Sequence, residues 1–246
     1  MQISLSATVD LEKANGEFYR FVLSYPLSLC FQVTQRCNYC CPYCISSSSN
    51  DNTLESDLRT IKLILKKMRD AGVQRVDLTG GEPFIRKDIM PILQYAVRLG
   101  LGVVVTSNGS LISPAQVQEL KKLNLLVQIS LDAPSSFNDS LRTKGSFRHA
   151  LRAIKRLRQA GVEVRLNCVI QKKNRHLLEA MADFCKDTRV NHLYFILVSA
   201  QGRAKKIQDK ICLTRKQERE VHAVTSKLKK DSGLMIKMHD YKKYAR

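Results

Sequence analysis

The 246-residue sequence contains no tryptophan, and aromatic residues make up only 7% of it. Stacking platforms for nucleic-acid bases are therefore scarce. Acidic residues are also few: 22 Asp and Glu stand against 41 Lys and Arg, a formal net charge of +19. No uncharged apolar run approaches the roughly 18 residues that span a bilayer, so no transmembrane segment is expected. The first twenty residues, MQISLSATVDLEKANGEFYR, lack a basic stretch followed by an apolar one, so a secretory signal is not expected either. No G-x-G-x-x-G follows the first apolar run, which argues against a dinucleotide-binding sheet. The five histidines, His149, His176, His192, His222 and His239, show no metal-ligand spacing. No block of five or six like charges marks a solvated tail. These absences place the chain in the cytoplasm by default.

What is present fits a soluble globular protein: 44% hydrophobic and 26% charged residues. The excess of positive charge suits nucleic acid, an acidic peptide or an anionic cofactor. Apolar runs at 29–33, 75–79, 103–106, 125–131, 162–170 and 192–198 read as six strands. Helical patterns fall at 54–71, 88–99, 114–123, 147–160, 174–186 and 214–230. Ser113 and Pro114 form a helix-start signal, and Gly72, Gly100 and Gly161 follow helix ends. Strand–helix alternation every 25 to 35 residues or so is the rhythm of a parallel sheet. Six units are too few for an eight-fold barrel. A doubly wound sheet and a partial barrel both remain open on this pattern. The expected division is an N-terminal extension over 1–26, one α/β domain over 27–233 and a basic tail over 234–246. The serine tract 46–49 reads as a mobile loop.

Four of the eight cysteines fall within eight residues: Cys37, Cys40, Cys41 and Cys44. Cys30, Cys168, Cys185 and Cys212 are scattered and read as small buried hydrophobes. A tight cluster in a cytoplasmic chain points to metal rather than to disulfides. Two C-x-x-C pairs, Cys37/Cys40 and Cys41/Cys44, suit tetrahedral zinc, but adjacent Cys40 and Cys41 would have to reach the same ion. The register C-x-x-x-C-x-x-C uses Cys37, Cys41 and Cys44 and leaves Cys40 a bystander. Three thiolates can hold three irons of a [4Fe–4S] cluster, leaving the fourth iron open for chemistry.

Polar residues follow the other strands as well: Gly80-Gly81-Glu82-Pro83, Thr106-Ser107-Asn108-Gly109, Ser130-Leu131-Asp132 and Asn167 to Ile170. With the cysteine triad in front, the sequence resembles the radical S-adenosylmethionine (SAM) enzymes over about residues 27–202. Within them it is similar to the peptide- and cofactor-maturing branch that often carries a C-terminal SPASM or twitch extension. The molybdenum-cofactor, pyrroloquinoline-quinone and haem-pathway enzymes belong to that branch. The resemblance implies a partial (β/α)6 TIM-like barrel with parallel strands. It implies a [4Fe–4S] cluster on Cys37, Cys41 and Cys44, with SAM chelating the open iron. It further implies reductive cleavage of SAM to a 5′-deoxyadenosyl radical that abstracts hydrogen from substrate.

The resemblance also implies roles for single residues. Tyr43 packs against adenine, Gly80 and Gly81 let the backbone approach a ligand, and Glu82 accepts from the SAM ammonium. Ser107 and Asn108 face the methionyl part, Ser130 the ribose, with Asp132 in support. Arg142 grips the SAM carboxylate, Asn167 lies near ribose, and Ile170 lies against adenine. Ser199 to Ala204 resembles the Gly-Arg-Ala turn after the sixth strand of this branch. There is no second cysteine cluster, so the auxiliary-cluster extension is not expected within this sequence, and a partner chain can complete the site. The implied partners are a reductant such as ferredoxin or flavodoxin and an acidic peptide or small-molecule precursor. An RNA-modifying radical SAM enzyme is the less favoured alternative. A non-enzymatic metal-binding protein with a basic nucleic-acid surface is the third.

Overall fold

A computed structural model describes residues 26–51 and 55–240, together with the backbone of two strands nearer the N-terminus. Those two strands, β1 (Thr8–Glu12) and β2 (Phe18–Val22), pair antiparallel in a small sheet of their own. The main sheet has seven strands, all parallel and in sequential order: β3 (Ser28–Thr34), β4 (Arg75–Gly80), β5 (Gly102–Ser107), β6 (Leu126–Ser130), β7 (Glu163–Ile170), β8 (His192–Leu197) and β9 (Met235–His239). Parallel neighbours need long crossovers, and helices supply them. They are α1 (Leu58–Asp70), α2 (Ile89–Arg98), α3 (Pro114–Lys122), α4 (Phe137–Leu141), α5 (Ser146–Gln159), α6 (Leu178–Asp187), α7 (Gln208–Ile211) and α8 (Arg215–Asp231). Strands β3 and β9 stay unpaired with each other, so the sheet is an open, partial barrel.

Local chemistry sets the element ends. Asp57 caps α1 by accepting from the Thr60 amide at 2.7 Å. Ser113/Gln116 and Thr214/Gln217 form capping boxes at the starts of α3 and α8. Strand alternation divides the side chains. Val76, Leu78, Val103, Val105, Val127, Ile129, Val164, Leu166, Leu193 and Phe195 turn to one face and form a core with Ile61, Leu65, Ile92, Leu93, Ile154 and Leu157 from the helices. Each such burial contributes about 1.5–3 kcal/mol. The opposite, inner face carries Asp77, Thr106, Gln128, Arg165, Asn167, Tyr194 and Lys237, which are the alternate positions of the same strands.

The six expected strands and their helices are all present, and a seventh strand is added. Strand β9 lies inside the stretch read from sequence as a basic tail, and only Ile236 of its residues is fully buried. Lys237 at its centre and exposed Met235 conceal a strand that packs on the core through Ile236 and, in part, Met238. The serine tract is a loop, as its composition suggests. Ser48 is buried, and residues 36 and 49 form an isolated parallel bridge, so the tract is the return leg of the cysteine loop. Helices α4 and α7 are too short to leave a periodic pattern.

Candidate functional site

The candidate residues gather at the C-terminal rim of the sheet, where parallel α/β folds build their sites. The cysteine loop leaves β3, and the Cys37 amide donates to the Ser49 carbonyl at 3.0 Å. On one side of the loop lie the glycines after β4. A Cβ on Gly81 would stand 2.1 Å from the Arg36 carbonyl oxygen and 2.8 Å from Cys37 Cβ. A Cβ on Gly80 would stand 2.3 Å from the Thr34 carbonyl oxygen. The amides of Gly81 and Glu82 donate to the Thr34 and Arg36 carbonyls at 2.9 and 2.8 Å. Absence of side chains here therefore lets the first cysteine seat against β4.

The other side of the loop is gripped by the turn after β8. Gly202 has φ +54°, and a Cβ on it would meet the Cys44 and Ile45 carbonyl oxygens at 2.4 and 2.3 Å. The Arg203 amide donates to the Cys44 carbonyl at 3.0 Å. Its guanidinium donates to the carbonyls of Cys41, at 2.9 Å, and Ser48, at 2.8 Å. The Gly-Arg-Ala turn is visible in the sequence, but nothing local gives Gly202 and Arg203 a part in the site. Only the tertiary contact, more than 150 residues apart in sequence, assigns it.

The eight cysteines are free thiols. Cys40 is exposed, whereas Cys37, Cys41 and Cys44 are half-buried. Burial pushes the Cys37 thiol up to about 12 and raises the Cys41 thiol too. A bound metal cation would favour the thiolates, and three cysteines on one loop are a donor set that fits an iron–sulfur centre. Among the described residues, no three His, Cys, Asp or Glu side chains gather as one metal ion would demand. A [4Fe–4S] cluster takes each thiolate on a separate iron.

Glu82 is fully buried beside this loop. Its Oε1 accepts from Ser107 Oγ at 2.8 Å and the Phe84 amide at 3.1 Å; Oε2 accepts from the Asn108 amide at 2.7 Å. Burial raises the carboxyl to about 7, and the three donors hold it back from rising further. A carboxylate has about four lone-pair sites, so one remains for an incoming ammonium. Ser107 and Asn108 thus meet Glu82 directly, and the Asn108 side chain also donates to Asn38 at 3.0 Å.

A second buried hub is centred on Asp132. It accepts from Tyr43 Oη, from the Val169 amide at 2.8 Å and from Arg142 Nη2 at 2.9 Å, with Arg142 Nε at 2.7 Å from its other oxygen. Asn138 accepts from the Asp132 amide at 2.8 Å, and Asn174 donates to the Asp132 carbonyl at 2.8 Å. The guanidinium expected to grip a ligand carboxylate is therefore engaged by a protein carboxylate. Tyr43 is buried, with its hydroxyl committed to the same group. Ser130 and Asn167 are register partners on the inner face, and the buried Asn167 Oδ1 has no hydrogen-bond partner. Such an orphaned acceptor fits a site awaiting a hydroxyl. Ile170 is not brought to them: alternation turns it into the main core behind the sheet, while Val169 packs beside Tyr43.

A family model described as the Radical SAM superfamily matches residues 31–185. The mycofactocin maturase MftC of Mycolicibacterium smegmatis is 30% identical over 203 residues, covering 81% of this chain and 52% of that protein. The Fe-coproporphyrin III synthase of Methanosarcina barkeri is 29% identical over 202 residues, covering 80% and 50%. Crystal structures of SuiB from Streptococcus suis share the fold. The one bound to S-adenosylmethionine gives a TM-score of 0.76 at 22% identity, over 88% of this chain and 51% of that one. The one bound to the precursor peptide SuiA gives 0.76 at 21%, over 89% and 49%. The chain spans about half the length of the curated relatives it matches.

Proposed function

We propose, on the premise that this chain belongs to the radical SAM superfamily, that it cleaves SAM reductively and takes hydrogen from a peptide or cofactor-precursor substrate. The cofactors of the family are a [4Fe–4S] cluster and SAM. When bound, they supply electron transfer and bond cleavage, giving the 5′-deoxyadenosyl radical that abstracts hydrogen. The observation that carries the reading is the cysteine loop, clamped by Gly80–Gly81 on one side and Gly202–Arg203 on the other, next to buried Glu82.

In this reading Cys37, Cys41 and Cys44 hold the cluster, and Cys40, exposed on the loop, takes no part. Glu82 receives the SAM ammonium at its remaining lone-pair site, with Ser107 and Asn108 holding the carboxylate in place. Asn167 offers its orphaned oxygen to the ribose beside Ser130. The Tyr43–Asp132–Arg142 hub keeps the loop fixed against β7. A peptide substrate draws support from MftC, named a maturase, and from SuiB, crystallised with its precursor peptide. We favour it over RNA, since 7% aromatic content and no tryptophan leave few stacking platforms. A small acidic electron carrier such as ferredoxin or flavodoxin suits the net charge of +19 as reductant. No helix among the described residues is long and apolar enough to cross a membrane. Free thiols suit the reducing cytoplasm, where we place the protein.

Anaerobic reconstitution with iron and sulfide, followed by chromatographic detection of 5′-deoxyadenosine and methionine, tests the proposal. Both products should form with dithionite and vanish in Cys37→Ala, Cys41→Ala and Cys44→Ala, while Cys40→Ala retains them. No product from a protein carrying the full complement of iron would refute it.

A further inference from the structure

One buried cation on the inner face has no role in the chemistry above. Arg165, in the middle of β7, is 3% exposed and makes no ion pair with any described residue. Its Nε donates to Gln128 at 2.5 Å, and Gln128 in turn donates to Thr106 at 3.0 Å. The guanidinium lies over the Tyr194 ring, 4.1 Å from its centroid. Lys237 of β9 approaches the same ring at 5.6 Å. Of the inner-face acids, Asp77 pairs with Arg75 at 2.9 Å and attracts Arg165 from beyond ion-pair distance, and Glu163 pairs with His192 at 3.1 Å. His239 lies tilted against Tyr194, ring centroids 5.4 Å apart, and its ring is kept below the usual imidazole range by burial and by the charges of Lys237 and Arg165. Burial likewise pulls the Arg165 guanidinium down from its ordinary value. A buried cation with no carboxylate within ion-pair distance is costly unless an anion comes to neutralise it.

Register fixes where this group stands. Ser130, Asn167, Tyr194 and Lys237 are successive partners across β6, β7, β8 and β9. Arg165 is two residues before Asn167, on the same face and one step deeper into the barrel. The cation therefore borders the candidate SAM residues from below. Nε is held by Gln128, and the guanidinium also bonds to the Tyr194 side chain; both partners are neutral, so the planar fork still suits a bidentate carboxylate.

We propose that Arg165, with Tyr194 and Lys237, forms a carboxylate-binding subsite on the inner face of the barrel that anchors an acidic group of the substrate. The subsite deepens the function proposed above by naming one chemical feature of the substrate. The carboxylate can come from an acidic side chain or from a chain terminus, and two probes separate these sources. N-acetyl-glutamate N-methylamide presents the first and N-acetyl-glycylglycine the second. N-acetyl-glutamine N-methylamide is the neutral isostere, and inorganic phosphate is the competing anion.

Each probe is titrated calorimetrically into the anaerobically reconstituted protein at low ionic strength. At least one carboxylate probe should bind saturably, with the isostere bound far more weakly. Arg165→Gln should weaken the bound probe about ten- to a hundred-fold. Arg165→Lys should fall between, keeping the charge but not the fork. Lys237 is exposed, so Lys237→Gln should fold normally, weaken binding a few-fold and flatten its salt dependence. If Arg165→Gln fails to fold, Lys237→Gln carries the test alone. Absence of carboxylate binding, equal binding of the isostere, tighter binding of phosphate or indifference to both substitutions would overturn the proposal. Probe binding without SAM cleavage in the unsubstituted protein would sink the proposed function and leave the subsite standing; the reverse result would remove only the subsite.

Discussion

Gly81→Ala tests how the cysteine loop is seated. The added Cβ would lie 2.1 Å from the Arg36 carbonyl oxygen, whereas ordinary contact begins at about 3.4 Å. The Arg36–Cys37 backbone must retreat by about 1.3 Å. The neighbouring atoms are backbone, and the same strand end is tied by the Glu82 amide to the Arg36 carbonyl at 2.8 Å, so the clash has no flexible outlet. Overpacking of this kind costs about 1–3 kcal/mol in stability. The larger consequence is positional, because a displacement near 1 Å can cost about a hundred-fold where groups must be held in register. Iron and acid-labile sulfide, measured after anaerobic reconstitution and gel filtration, should fall to a small fraction of the unsubstituted level. Chemical denaturation should show the folded state still populated. Full iron loading in a folded Gly81→Ala protein would refute the claim that this glycine seats the first cysteine.

Other substitutions probe the same rim. Arg203→Lys cannot reproduce two directed bonds to the Cys41 and Ser48 carbonyls, so reconstituted iron should be lost several-fold faster on exposure to a chelator, with Arg203→Ala faster still. Equal loss rates would mean the turn after β8 does not grip the loop. Tyr43→Phe removes a donor to a buried carboxylate and should lower unfolding free energy by about 1.5–3 kcal/mol in urea titrations. Glu82 gives a pH signature in the metal-free protein. Its folded carboxyl, raised from 4.5 to about 7 by burial, holds a proton more tightly than the unfolded chain does. Its contribution to stability is thus fully present below about pH 4.5 and is lost as pH climbs to about 7, a swing of roughly 3 kcal/mol. Glu82→Gln should flatten that slope, and an unaltered slope would show that another group produces it.

Much of this was legible in sequence because it is written locally. Strand and helix periods, the capping boxes at Ser113 and Thr214 and the glycine stops need only neighbouring residues. The cysteine spacing and the Gly-Gly-Glu run are equally local, and they fall at the strand ends where the rim forms. What escaped depends on contacts made across the chain. The commitment of Arg142 to Asp132 follows from both being drawn into one buried hub, which no spacing rule announces. Strand alternation does predict that Asn167 and Ile170 face opposite sides of β7, so the displacement of Ile170 into the core was available from the sequence. Strand β9 shows only one buried residue, and its lysine looks like surface until register places it beside Tyr194. That no carboxylate lies within ion-pair distance of Arg165 is invisible in a chain with 41 basic residues, since it depends on where the acids fall in the fold.

Electron paramagnetic resonance of the reduced, reconstituted protein, recorded with and without SAM, reads the cluster and its open iron in one experiment. The reading predicts a [4Fe–4S]+ signal whose line shape changes on adding SAM, because three cysteines leave one iron open to the ligand. The signal should be absent from Cys37→Ala, Cys41→Ala and Cys44→Ala and present in Cys40→Ala. A signal indifferent to SAM, or one that survives loss of Cys37 and disappears with Cys40, would contradict it.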